Sequence, residues 1–246
     1  IGREASLKNT TGQHNVCVGR TALKENTTGN YNVAIGQAAL RDNTASNNTA
    51  VGYLASKANT SGDLNIAIGG NALATNTVGD RNVAIGYNCL QTYNPGSNED
   101  GYNTGVGINV LSGTTTGNHN TAVGGKAMEV NTTGGYNCAF GTYSLDANTT
   151  ASFNSAFGYG SLSANTTGAS NTAVGEQALN ANTTASNNTA VGKNALQTAT
   201  TAVSNTAVGM EAMKDTTTGG YNTALGYAAL TNHTTSGDNV AVGAES

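Results

Sequence analysis

Charge is the first thing this chain lacks. Asp, Glu, Lys and Arg make up 10% of its 246 residues, where a soluble globular domain ordinarily carries about 25%, so an average enzyme-like composition is excluded. The 10 basic residues form no block and face 14 acidic ones, for a net charge of -4, which leaves nucleic acid no electrostatic footprint. No run of about 18 apolar residues occurs, so no membrane insertion is expected in this segment. Trp is absent and Pro occurs once. Cysteine is down to Cys17, Cys89 and Cys138, at different places in a repeat and several turns apart, too far for intrachain disulfides, which need Cα atoms within about 7 Å. We expect small buried hydrophobes there, with an interchain contact at Cys17 as the alternative. The three histidines, His14, His119 and His233, join no Cys or carboxylate in metal or triad spacing. No catalytic residue, metal or cofactor is therefore expected.

What is present is Gly, Asn and Thr, 33, 35 and 38 of them, together with regularly spaced Val, Ile and Ala, which argues against disorder. A motif of Asn, a variable residue, a small residue, a hydrophobe and Gly recurs with Asn at 15, 32, 48, 65, 82, 103, 120, 137, 154, 171, 188, 205, 222 and 239. The period is 17, broken by a deletion around Asn43 to Asn48 and an insertion over 93–101. Counting that Asn as position 1, the unit reads N-[TV]-A-[VI]-G-x-x-A-L-x-x-N-T-T-G-x-x. Residues 1–246 are thus one repeat domain. Seventeen residues are too few for a helical-hairpin repeat and show no 3.6-residue stripe. The expected class is all-β, a parallel β-solenoid of about 14 coils and about 65 Å, each coil two short strands and two turns.

Side chains alternate along a strand. Positions 2 and 4 (Val33 and Ile35, Thr49 and Val51) are apolar or β-branched and are expected to face the core. Position 3, nearly always Ala with Cys17 and Gly105 as exceptions, is expected to face a neighbouring chain. The Ala-Leu pair at positions 8 and 9 supplies the second apolar element. Gly at position 5 and Asn-Thr-Thr-Gly at 12–15 supply turns, because Gly and Asn tolerate positive φ. Asn at positions 1 and 12 should form amide ladders. The repeat-defining residues include Asn32, Gly36, Asn120, Gly124, Asn222 and Gly226. A core this thin points to burial against partner chains. Both ends stop in mid-repeat without a polar cap, and a segment of a longer protein is expected.

Two features stand out as contact candidates. Eight of ten Tyr fall just before the Asn (Tyr31, Tyr102, Tyr136, Tyr221) or just after the Gly (Tyr53, Tyr87, Tyr159, Tyr227), at coil corners where a ring can stack on sugars or shield backbone. The insertion holds the only Pro and the acidic pair Glu99-Asp100, and such loops often carry specificity. Tyr87, Tyr93, Glu99, Asp100 and Tyr102 are the receptor-contact candidates. Asn-Thr-Thr sequons at Asn26, Asn131 and Asn165 follow from the repeat.

The Asn-Thr-Ala-Val-Gly and Asn-Val-Ala-Ile-Gly units, followed by Ala-Leu and Asn-Thr-Thr-Gly, resemble the head repeats of YadA-like trimeric autotransporter adhesins and the repetitive shafts of bacteriophage tail fibres. The resemblance covers nearly the whole chain, and the 17-residue period favours the phage type. It implies a left-handed β-roll, a homotrimer, and an extracellular place on a virion tail fibre or a bacterial surface, attaching to cell-surface glycans or a receptor. The alternative class is an ice-binding β-solenoid with Thr arrays such as Thr27-Thr28 and Thr183-Thr184. An enzyme would need paired carboxylates in a groove, and Glu99-Asp100 on an irregular loop is the only adjacent acidic pair.

Overall fold

The computed structural model describes residues 1–246. It is an all-β chain of two compact units, 1–121 and 122–246. Both are β-solenoids built on one turn. In the first unit the strands are β1 (Val16–Val18), β2 (Val33–Ile35), β3 (Thr49–Val51), β4 (Ile66–Ile68), β5 (Val83–Ile85) and β6 (Thr104–Val106). Strand β7 (Thr121–Val123) carries the division. The second unit continues with β8 (Cys138–Phe140), β9 (Ser155–Phe157), β10 (Thr172–Val174), β11 (Thr189–Val191), β12 (Thr206–Val208), β13 (Thr223–Leu225) and β14 (Val240–Val242). Within each unit, consecutive strands pair in parallel and in register, as in Val33↔Thr49, Ala34↔Ala50 and Ile35↔Val51, or Thr172↔Thr189, Ala173↔Ala190 and Val174↔Val191. Neither unit contains a helix long and apolar enough to cross a membrane.

The facing of the strands is the reverse of the expectation. Position 3 points inward: Ala34, Ala50, Ala67 and Ala84 are fully buried. Positions 2 and 4 point out, and Ile35, Ile68, Phe140 and Val174 stand 37–38% exposed. The uniform Ala therefore reflects the narrow bore of the turn. At Gly105, the one Gly in this position, a Cβ would approach Cys89 Sγ to 2.5 Å and Val110 Cγ1 to 3.3 Å. Cys89 stands where most other turns carry Ala, and its sulfur fills the space that a Cβ at position 105 would need.

One strand per turn is formed, not two. The Ala-Leu element lies in a turn because positions 7 and 9 are left-handed, for example Ala38 at φ 59° and Leu40 at φ 48°. Position 17 is left-handed as well, as at Tyr31 and Arg81. L-residues enter this region at a cost of about 1–2 kcal/mol each. Cross-turn bonds hold them there: Leu40 N–H donates to Ala55 O at 3.0 Å and Ala38 N–H to Arg20 O at 2.9 Å. The Leu side chains at position 9, from Leu23 to Leu196, are fully buried and stack under the Ala pairs as the apolar core.

The amide ladders form as expected. Along the position 1 ladder an Asn accepts the next one's backbone N–H and donates across its own turn: Asn32 Oδ1 accepts from Asn48 N–H at 3.0 Å, and Asn32 Nδ2 donates to Ala45 O at 2.8 Å. Asn222 repeats this with Asn239 N–H and Ser236 O, and Asn120 N–H donates to Asn103 Oδ1. At position 12 the side chains bond one another, as in Asn148 Nδ2 to Asn131 Oδ1 at 2.8 Å and Asn165 Nδ2 to Asn148 Oδ1 at 3.0 Å. Gly36, Gly124 and Gly226 at position 5 have φ between 122° and 140°, and a Cβ on any of them would run into the Gly of the next turn. Gly at position 15 has a different reason from the one expected. Gly29 and Gly134 are not at positive φ, but a Cβ there would collide with the next turn's carbonyl and with the Asn at position 12.

Candidate interaction surface

Two surfaces remain open on this scaffold. The first is the strand face made by positions 2 and 4. It carries Val, Ile, Thr, Phe and Leu with Cys138 and Ser155, and no charged residue at any of the fourteen strands. Charges gather elsewhere, largely on the turns, in pairs such as Lys24–Glu4, Lys8–Glu25 and Lys193–Glu176. Sequence reasoning assigned this face to the core because it ranked Val and Ile above Ala for burial. The signal against that reading was Ala itself, uniform at position 3 as only a tight interior demands.

The second surface is the corner before the strand, with the 93–101 loop beside it. Left-handed position 17 turns its side chain outward, and successive rings meet: His14 on Tyr31 at 4.9 Å and 10°, Tyr136 on Phe153 at 5.3 Å and 12°, Tyr102 with His119 at 5.3 Å and 41°. The Arg81 guanidinium lies 5.9 Å from the centroid of Tyr102. Tyr102 thus has Arg81 from the preceding turn and His119, tilted by 41°, from the following one beside its ring, which is 48% exposed. Its exposed edge and hydroxyl can offer a hydrogen bond.

The loop is tied down. Asp80 N–H donates to Glu99 O at 3.0 Å and Gly101 N–H to Asp80 O at 2.9 Å. Asp100 ion-pairs with Arg81, and Glu99 Oε1 accepts from Ser97 Oγ at 2.6 Å. Asp80, 8% exposed, accepts from Asp63 N–H at 2.8 Å and, with the Asn98 amide turned nitrogen-first, from Asn98. Burial raises its carboxyl pKa, against the opposing Asp63 N–H bond. Glu99, Asp100 and Tyr102 are therefore brought to one place, while Tyr87 lies beyond the other end of its strand, leaning over Gly70.

Tyr93 is a correction. It is 1% exposed and unavailable to a receptor. It takes position 12, where the preceding turn carries the ladder Asn76 and the following one Thr114, and its ring fills the space over Gly79 while its hydroxyl reaches towards Gly101. Burial, then the charges of Glu99 and Asp80, push its phenol up to about 12. A ring this long does not fit the four-residue closure that Asn76 makes with Gly79, and the extra residues of the loop pass around it. Its position in the repeat was the signal that could have found this.

All three cysteines are free thiols. Burial pushes Cys89 up to about 12 and raises Cys17 and Cys138. Cys17 is at an inward strand position and Cys138 at an outward one. No group of three His, Cys, Asp or Glu side chains could hold a metal ion. No protein-family model matches the chain, and no curated protein or solved structure is significantly similar to it.

Proposed function

We propose that this chain is a structural and adhesive fibre segment, a homotrimer whose chains bury their strand faces against one another and whose corners meet a surface receptor or glycan. The observation that carries the reading is the uncharged strand face. At roughly 50 Å² for each outward side chain, it amounts to on the order of 600 Å² in either unit, the upper end of what a monomer exposes as one patch and close to the roughly 800 Å² per partner of a stable interface. The resemblance of the repeats to YadA-like heads and phage fibre shafts supports three chains and an extracellular setting. The corner with Tyr102, Arg81, Asp100 and Glu99 would stay accessible beside such an interface.

Native light scattering tests this, with the reactivity of Cys138 as a second readout. Three chain masses of 24.6 kDa and a Cys138 that reacts with thiol reagents only on unfolding are expected. A folded monomer with a reactive Cys138 would sink the trimer reading. One observation favours a second reading, ice binding: Thr172, Thr189, Thr206 and Thr223 stand in register on four adjacent strands of the outward face. The Thr at position 13 are less suited, because their hydroxyls donate to the next turn's backbone, as Thr166 does to Thr183 O. Thermal hysteresis of a monomer would favour ice binding.

A further inference from the structure

Two adjacent turns of the second unit depart from the pattern of the strand face. The chain has three Phe, and two of them, Phe140 and Phe157, take position 4 of β8 and β9. Their rings stack 5.4 Å apart with planes 5° from parallel, 38% and 39% exposed. The same two strands are the only ones whose position 2 is reduced, to Cys138 and Ser155. The other twelve carry Val, Ile or Thr there and Val, Ile or Leu at position 4. Large and small thus change together. Positions 2 and 4 are about 7 Å apart along a strand, within reach of an aromatic ring, so a reduced position 2 makes room for the Phe beside it. The result is a step in the profile of the face, raised at position 4 and lowered at position 2, that a matching surface would have to fit.

We propose that the Phe140–Phe157 step sets the axial register in which copies of this chain pack face to face. The inference rests on the self-association proposed above. The occupant is a second copy of the chain, because the face is uncharged, close to interface size, and repeats with the spacing of another such solenoid. Over β10 to β12 the face does not distinguish registers. Thr172-Ala173-Val174, Thr189-Ala190-Val191 and Thr206-Ala207-Val208 are identical strands, and sliding a partner by one turn replaces each by its equal. A slip at β8 and β9 instead sets a Phe against a surface shaped for Val and leaves the space beside Cys138 or Ser155 unfilled, which disfavours the wrong register. A cyclic trimer has parallel chains, so equal positions meet.

The test mixes full-length chains carrying Thr206→Cys with chains carrying Thr223→Cys, assembles them from the unfolded state, and maps thiol cross-links by mass spectrometry. With Phe140 and Phe157 in place, links join 206 to 206 and 223 to 223. With Phe140→Val and Phe157→Val, links between 206 and 223 rise about tenfold relative to the same-position links. Val occupies this position in most other turns, so folding is retained, and far-UV spectra confirm it. A second variant moves the step by adding Thr172→Ser, Val174→Phe, Thr189→Ser and Val191→Phe, and it should suppress the slipped links again. Oligomers whose slipped links are unchanged by either variant overturn the register proposal and leave self-association standing. A single-chain mass overturns both.

Discussion

Asn165 and Asn182 occupy the same position in neighbouring turns, both fully buried, yet replacing each by Ala should have unequal cost. Asn165 donates to Asn148 Oδ1 at 3.0 Å and Gly168 O at 2.9 Å, and accepts from Asn182 Nδ2 at 2.8 Å. Asn182 makes only the two donor bonds, to Asn165 Oδ1 and to Ala185 O. The next position 12 is Ala199, which has no amide, and Asn182 Oδ1 is left buried without a partner. Removing Asn165 loses three bonds at about 1 kcal/mol each and newly orphans Asn148 Oδ1 at about 1–3 kcal/mol. Removing Asn182 loses two bonds and orphans Asn165 Oδ1, but it deletes an orphan already present. Asn165→Ala should therefore destabilise by about 4–6 kcal/mol and Asn182→Ala by about 2 kcal/mol. The carbonyls of Gly168 and Ala185 keep their second donors, Asn154 and Asn171, in either variant. Urea unfolding of both variants at one chain concentration measures the difference, with unchanged slopes as the check that the same structure unfolds. Equal shifts, or a larger one at Asn182, would refute the ladder account and leave burial alone as the determinant.

Gly192→Ala should destabilise by about 2–4 kcal/mol, since φ is 133° and the new Cβ would run into the Gly209 carbonyl, whereas Gly125→Ala, with only Thr142 Cγ2 at 4.0 Å, should stay within about 0.5 kcal/mol; similar thermal midpoints for the two would contradict this. Burial, followed by Glu129's charge, raises the Asp146 carboxyl above its ordinary 3.8. The carboxylate form is thus penalised in the folded state at neutral pH, and the penalty fades as pH falls through the raised pKa and is gone below 3.8. Asp146→Asn should accordingly raise the urea midpoint at pH 7 more than at pH 3.5, and a pH-independent difference would show that the charge is not responsible. The sequon residues Asn26, Asn131 and Asn165 are fully buried with their side-chain nitrogens donating to Gly29, Gly134 and Gly168. A glycan would replace one of the two N–H donors on such a nitrogen and has no room at a fully buried position, so chains made in a eukaryotic secretory pathway should fold only when glycosylation is blocked; a folded product with glycans at Asn165 would disprove the ladder's role there.

The period, the parallel stacking and the two Asn ladders were legible because each depends on a residue type recurring at one place, and repetition turns weak local preferences into a single consistent pattern. The charge-poor composition pointed to the same scaffold. What was not legible depends on the size of the turn. A 17-residue coil with two of its inward positions given to Asn has room for Ala, Ala and Leu, so Val and Ile, which a hydrophobicity ranking places inside, are forced out at positions 2 and 4. Left-handed Leu40 and Tyr31 were hidden for a related reason: neither residue favours that backbone, and only the bonds to adjacent turns hold it there. The corner rings misled in the opposite direction. Tyr102 reads as an open stacking platform until the turn spacing places Arg81 and His119 beside its ring. Tyr93 reads as a loop residue until its place in the ladder is counted. The inversion of the strand carries the functional consequence, because it shifts the expected interchain contact from the Ala at position 3 to Val, Ile and Phe at position 4. An Ala face could have been satisfied by close approach alone, whereas under the self-association proposed above a face with stacked Phe140 and Phe157 beside Cys138 and Ser155 would call for a partner of matching shape.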